Sequence, residues 1–569
     1  MLQSLRNDGL LRRLRLLAMT ERDPAPAYEK VSGHRSRPGL TARAGSPCRP
    51  PALMSIAISA PLRRCESDTR DILLLLAAHV VLWTGFCLLY LGPSDLQNDM
   101  TEAFSWAQEM PLGTYKHPPF YAWVVHGWFS LFPTRDWAFY LLSSTNAAIG
   151  LAAVWAIAGR YLSGPARLAA VLLLETLPFF TVQSFNFNAN SVLLSLWPLV
   201  TLLFLRAFDR RDLAGAVANA VALGLAAAAA MLSKYYSGII LLCCLAAALA
   251  HPDRRRFFGS AAPYVAIAVF AAAVAPHVLW HLHAAIGPLQ YMASKSHSDT
   301  LRILGKAGLF VAGCLALHAL LGAALAWLWR RGRASAPEDR PAESSMGDRR
   351  SLAIFALGPF LLTVAIALAF KVKIVTQFAI PIFSLSPLAA IVWLRLAIDR
   401  DALRRLARLA GIVGLLLLAV APFAGAWTLR HDIEHAAEPR RLLAKRVTTL
   451  WHERIGTPLA IVAGTESYAL GATFYSPDHP TDFTAFAPAY APWIDAQRLR
   501  RGGLAVICLK DDEWCLGEAA KYQGLDSWRT EIGLAKRVRG VTGRPFDFVV
   551  LFVKPGQTLP LQPIRLREF

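Results

Sequence analysis

Apolar runs of about 18 to 24 residues recur between residues 71 and 428, and nothing else in the sequence limits the fold as tightly. Wound as helix at ~1.5 Å per residue, such a run matches the ~30 Å hydrocarbon core of a bilayer. Lipid offers no partner to a bare peptide group, so each run is expected to be helical. About eleven spans are expected, near 71–92, 138–161, 166–182, 189–206, 214–232, 236–250, 261–281, 308–329, 352–370, 376–397 and 409–428. The expected class is an all-α polytopic membrane protein, in keeping with a composition that is 55% hydrophobic.

The formal net charge of +20 could suggest a nucleic-acid partner, but the basic residues gather in short clusters between apolar runs and form no stripe interleaved with aromatics. They sort by alternate loops instead, as the excess of Lys and Arg on cytoplasmic loops requires. One set holds nineteen, including Arg160, Arg206, the run Arg254 to Arg256, Arg330, Arg350 and Arg404, whereas the other holds eight. Placing the richer set in the cytoplasm puts the loop 93–137 and everything after the last span outside, in an inner or plasma membrane.

The two ends differ from the middle. Residues 1–53 are rich in Arg and Pro, contain no span-length run, and are followed by Met54. They are expected to be a disordered or misassigned extension, with Met54 as the true start. Residues 54–430 form the transmembrane domain. From 431 to 569 the apolar runs shorten and alternate with turn residues, as in 458–464, 504–509 and 546–553, which predicts strands of a small α/β extracytoplasmic domain. Outside the cytosol, Cys508 and Cys515 could pair as a disulfide. Cys87, Cys243, Cys244 and Cys314 lie in apolar runs and are expected only to pack.

The loop 93–137 is long and chemically mixed. Long ordered loops in compact proteins tend to carry function. Asp99, just past the first span, could serve as a general base in a partly desolvated setting, or could cap a helix over 100–110. That helix could equally lie in the membrane interface, with Phe104, Trp106 and Ala107 toward lipid and Glu102, Ser105 and Glu109 toward water. Lys116 and His117 precede Pro118-Pro119 and suit a phosphate, although Lys116 could simply snorkel. Lys234, followed by Tyr235 and Tyr236, either anchors a helix end at the interface or binds an anionic head group. Asn186, Asn188 and Asn190 need polar partners at their depth, from neighbouring helices or a polar cavity. Gln290-Tyr291, Lys295, His297, Lys371 and Lys373 add polar groups on the same side. Together these cations suggest one cavity for an anionic ligand.

The same residues carry a resemblance. Asp99-Met-Thr-Glu-Ala-Phe-Ser-Trp-Ala-Gln-Glu-Met110, then Lys116-His-Pro-Pro-Phe-Tyr-Ala-Trp123, resembles the first outer loop of glycosyltransferase family 39, the bacterial polyprenyl-phosphate-sugar-dependent transferases related to protein O-mannosyltransferases and lipid A aminoarabinose transferases. The likeness runs from about residue 70 to at least residue 400. It implies a GT-C fold, a sugar donor on a polyprenyl monophosphate, and a lipid, glycan or protein acceptor in the envelope. Asp99 matches the family's catalytic Asp. Met100 stands where the family has Glu, a role that Glu102 could take over, and Asn190 stands where an Asp is common. His117-Pro118-Pro119 matches a family element, with Lys116 an added cation. By the same analogy Lys234, Tyr235 and the stretch from Lys371 to Gln377 would contact donor and phosphate. A divalent metal is neither required nor excluded.

Two other classes remain at this stage. A transporter or flippase would show internal repeats and helices broken near the midplane, and neither is visible in the sequence. A protein that binds a polyprenyl glycolipid without turnover fits the missing acid at Met100.

Overall fold

The computed structural model describes residues 60–209, 212–294, 300–332 and 344–561. The expectations for 1–53, Met54, Lys295 and His297 fall outside these residues. Everything below belongs to the compact unit Arg63–Phe569.

Among the described residues seven helices are long and apolar enough to cross a membrane: Asp68–Tyr90, Asp136–Ala158, Leu213–Ser233, Ala262–His283, Thr300–Leu317, Met346–Ala369 and Arg400–His431. Asp136–Ala158 is buried along most of its length, whereas Arg400–His431 leaves Leu415, Leu416, Phe423 and Trp427 exposed, as a lipid-facing helix does. That last helix starts on Asp399, whose carboxylate accepts the Ala402 N–H at 2.6 Å, and stops at Asp432 in the left-handed region.

The other expected spans take different forms. The run 166–182 begins as the helix Gly164–Leu172, tightens into a 3-10 turn over Leu173–Thr176, and then leaves helical geometry at Leu177, the residue before Pro178. The helix expected from 189 forms only at Leu193–Arg206, because Ser191 Oγ accepts the Asn188 N–H and Asn188 Oδ1 accepts the Ser191 N–H in a turn. Gly238–Ala250 and Ser386–Trp393 are likewise short. The span expected at 308–329 is displaced: the chain divides at His318 into Thr300–Leu317 and Ala319–Gly332.

The irregular stretch after Leu172 is fastened to the first span. Glu175 accepts a hydrogen bond from Trp83 Nε1 at 3.0 Å and is bonded to His79 Nδ1 at 2.6 Å. Trp83 in turn packs against Phe185, with ring centres 6.3 Å apart. Non-helical backbone at this depth is tolerated where protein covers it or where it lines a polar cavity.

The C-terminal segment forms a five-stranded sheet in the order β2-β1-β3-β5-β4, from Ile461–Gly464 (β1), Thr481–Asp482 (β2), Leu504–Leu509 (β3), Ser527–Val538 (β4) and Val541–Val553 (β5). β1 runs parallel to β2 and β3, while β5 is antiparallel to β3 and β4. The helices Arg440–Ile455 and Glu466–Tyr475 share one hydrophobic core with the sheet. Gly464 ends β1 at φ +136°, with Ile507 so close that any Cβ would collide with its carbonyl. Cys508 and Cys515 form a disulfide between β3 and the helix Glu513–Ala520.

This domain grips the ends of the loop 93–137. The Tyr475 hydroxyl accepts from the Leu96 N–H at 2.7 Å, and Arg440 donates to the Leu96 carbonyl. Lys536, itself buried, meets Asp95 at 3.1 Å, and Arg441 pairs with Asp136. At the far end of the loop helix Arg498 pairs with Glu109 at 2.7 Å.

Candidate active site

The loop helix runs Asn98–Glu109 and ends where Met110 turns left-handed and donates its N–H to the Trp106 carbonyl. Gln97 is the N-cap residue, so Asp99 lies inside the first turn and does not cap. Nor does the helix lie on lipid: Phe104, Trp106 and Ala107 are buried, and so are Glu102 and Ser105. Phe104 meets Phe474 of the C-terminal domain edge to face, with centroids 5.0 Å apart.

With capping excluded, the Asp99 carboxylate is held from the side. Asn188 Nδ2 donates to Oδ2 at 2.9 Å and Asn186 Nδ2 at 3.3 Å. The orientation of Asn188 is fixed, since its Oδ1 accepts the backbone N–H groups of Asn190 and Ser191 at 2.8 and 3.0 Å. Next along, Asn190 Oδ1 accepts from Lys234 Nζ, which also lies 4.6 Å from the centre of the Phe378 ring. Lys234 sits where the helix Leu213–Ser233 ends and the chain becomes extended.

Lys116 donates to both Glu102 oxygens, at 3.1 and 2.9 Å. Burial pushes the Glu102 carboxyl up to about 8 against the pull of Lys116, with Glu466 and Asp99 adding to the rise. Burial works against the Lys116 charge as well, yet Glu102, with Asp99 behind it, holds that ammonium above its ordinary value. Lys234 has no such companion. Burial lowers it to about 8, with Asp99 pulling upward and Lys116 pushing down. His117 is lowered well below its usual value by burial and then by Lys234 and Lys116, which leaves a neutral imidazole.

Asp99, Glu102, Lys116, His117, Asn190 and Lys234 therefore form one electrostatic cluster. Beside it opens a cavity of about 500 Å³ whose lining includes Met100, Gln183, Asn186, Asn188, Gln377 and Arg440. Asn186 Oδ1 and Gln183 Oε1 are buried there without a hydrogen-bond partner. Gln377 lines the cavity. Tyr235 is turned elsewhere, its hydroxyl bonded to His277 Nε2 at 2.6 Å while His277 Nδ1 bonds the Leu112 carbonyl. Lys371 is exposed and takes no part in the lining, because the chain reverses there through a left-handed residue at φ 53°.

Arg440 and Glu466 join the site from the C-terminal domain. Glu466 acts electrostatically on Glu102, Lys116 and Tyr115, and Tyr490 packs on Tyr115 at 5.0 Å. No local pattern in the sequence marks them.

Among the described residues no three His, Cys, Asp or Glu side chains gather as a metal site. The donors around Asp99 also fit a divalent cation poorly: amide N–H groups point at its oxygen, and Glu102 is engaged with Lys116.

Residues 116–280 match the family model described as dolichyl-phosphate-mannose-protein mannosyltransferase. The matched stretch contains Lys116, His117, Asn190 and Lys234. No curated protein matches the sequence. Among solved structures, ArnT from Cupriavidus metallidurans bound to undecaprenyl phosphate superposes with a TM-score of 0.55 at 14% identity, covering 84% of this chain and 98% of that one. The same enzyme in the apo state gives 0.53 at 14% identity, with 85% and 98% covered. The chain thus has the GT-C fold of ArnT and resembles the O-mannosyltransferases over the matched residues.

Proposed function

We propose that the protein is an integral-membrane inverting glycosyltransferase that moves a sugar from a polyprenyl-phosphate donor to an acceptor hydroxyl in the cell envelope. The observation that carries this reading is the placement of Asp99 between two carboxamide donors at the edge of a polar cavity, with Lys234, Lys116 and His117 close by. A carboxylate held in this way can take the proton of an acceptor hydroxyl. As the acceptor oxygen forms its bond to the anomeric carbon, the bond from that carbon to the phosphate oxygen breaks. The electron pair leaves on the polyprenyl phosphate, and the sugar is inverted. Lys234 supplies a positive charge to the departing phosphate and neutral His117 can donate a hydrogen bond. Glu102 keeps Lys116 in place, which gives the acid near Met100 a positioning role.

ArnT, whose fold the chain shares, holds undecaprenyl phosphate in its crystal structure, and a lipid-borne donor of that kind explains why the enzyme is built into a membrane. The cavity opens on the side of the C-terminal domain. We assign that side to the outside of the inner membrane, on the sorting of Lys and Arg among the loops and on the disulfide between Cys508 and Cys515.

The test compares envelope glycolipids from cells carrying the wild type, Asp99→Ala or a deletion. Asp99→Ala is expected to match the deletion while the protein still reaches the membrane. A variant that retains the full glycan profile removes Asp99 from catalysis and favours a binding or transport role. A topology reporter fused at residue 440 is expected to read outside.

A further inference from the structure

Back to back with the Asp99 cavity lies a second one, of about 930 Å³, where the C-terminal domain meets the ends of two spans. Tyr140 lines both cavities. The rest of the partition is an ion cluster in which Arg441, on the second side, pairs with Asp136 and reaches Asp95 on the first.

The second cavity has two kinds of wall. Its floor includes Leu88, close to the end of the span Asp68–Tyr90, and Trp137, at the start of the span Asp136–Ala158; both are exposed apolar side chains at the depth where helices leave the hydrocarbon. Its upper wall carries Arg135, Lys445 and the hydroxyls of Thr134 and Thr449. The Arg441 charge is matched by Asp136 and Asp95, and His452 is bonded to Asp478 at 2.7 Å. Arg135 and Lys445 have no carboxylate partner among the described residues. One exposed cation is ordinarily just solvated. Two unmatched cations above an exposed apolar floor make an amphipathic receptacle, with room for an anion in water and a hydrocarbon chain beneath it.

We propose that this cavity binds the phosphate head group of a membrane lipid, with Arg135 and Lys445 as the anion-binding pair. The inference rests on the membrane orientation proposed above and not on the chemistry assigned to Asp99. The apolar floor selects a lipid over a free phosphate ion. A lipid seated here stands one side chain away from the Asp99 cavity, behind Tyr140.

The full chain is reconstituted in nanodiscs of phosphatidylcholine, with or without phosphatidylglycerol, and its Tm is recorded. Phosphatidylglycerol is expected to raise the Tm of the wild type, and the Arg135→Gln/Lys445→Gln variant is expected to lose most of that rise. Arg446→Gln/Arg501→Gln removes the same charge from exposed positions outside the cavity and is expected to keep it. Equal responses from the wild type and the cavity variant overturn the site. A rise produced as well by inorganic phosphate in phosphatidylcholine discs overturns the lipid assignment. Should the double variant fail to fold, Lys445→Gln alone is compared with wild type by native mass spectrometry, where equal retention of phosphatidylglycerol counts against the proposal. Asp99→Asn is expected to keep the Tm response while losing transfer, so failure of the enzymatic reading and failure of this one are told apart.

Discussion

Asn188 gives one end of its carboxamide to Asp99 and the other to the backbone N–H groups of Asn190 and Ser191, so the turn that interrupts the expected helix is also the device that aims the carboxylate. Replacing Asn188 by Ala removes the hydrogen bond to a charged group, worth roughly 1.5–3 kcal/mol. A fall of about tenfold to a hundredfold in kcat is expected, with the KM for donor little changed. Steady-state transfer with a purified polyprenyl-phosphate sugar measures it, and an unchanged kcat would detach Asn188 from the site.

Lys234 titrates close to neutrality. Burial brings it to about 8, so in the free enzyme it is charged below that pH and loses its charge above it. If the cation serves the phosphate, kcat/KM falls as pH rises through about 8. Lys234→Arg should move this decline to higher pH, because guanidinium keeps its proton. An identical alkaline limb in both proteins would show that another group sets it.

Asp482 offers a test on stability alone. Burial raises its carboxyl to about 7, against the Thr484 hydroxyl that donates to it at 2.6 Å and with Glu466 raising it further. The folded chain thus binds a proton more readily here than the unfolded chain does. Stability from this group is present at low pH and drains away as pH climbs from the ordinary carboxyl range to about 7, beyond which it is level. Asp482→Asn should flatten this part of the Tm profile, leaving the variant the more stable form at pH 8. Parallel profiles for the two proteins would refute the assignment.

Glu175 ties the irregular stretch to the first span through His79 and Trp83. Glu175→Leu removes two partly buried hydrogen bonds and leaves their donors without acceptors, at a cost of about 1–3 kcal/mol for each orphaned group. A lower Tm in detergent is expected. Loss of activity should exceed loss of folded protein, since Trp83 supports Phe185, the neighbour of Asn186. Glu175→Gln, which keeps an acceptor for Trp83, should recover part of both.

Much of this arrangement is legible in the sequence because it depends on local pattern. Long apolar runs announce six of the seven long helices among the described residues, Thr300–Leu317 being displaced from its run, and short runs between turn residues announce β1, β3 and β5. The unusual length of the loop 93–137 likewise points to Asp99, Lys116 and His117. What escapes is decided by contacts between distant segments. Hydropathy reads 166–182 as a span because a single Glu175 hardly lowers its average, and only the structure reveals that His79 and Trp83 satisfy that acid. Glu466 and Arg440 carry no motif at all. Lys371, by contrast, has the right chemistry in the right sequence neighbourhood, but one left-handed residue directs the chain away.

The pairing of Lys536 with Asp95 joins the first loop to emerge from the membrane with a strand near the end of the chain. During synthesis Asp95 must wait through every intervening span before its partner exists. A ribosome that stalls early leaves a loop whose ends nothing holds, and a chain cut short before β4 should be inserted yet inert. Under the proposed function, cells would then be spared a half-built transferase working unsupervised on lipid-linked sugars.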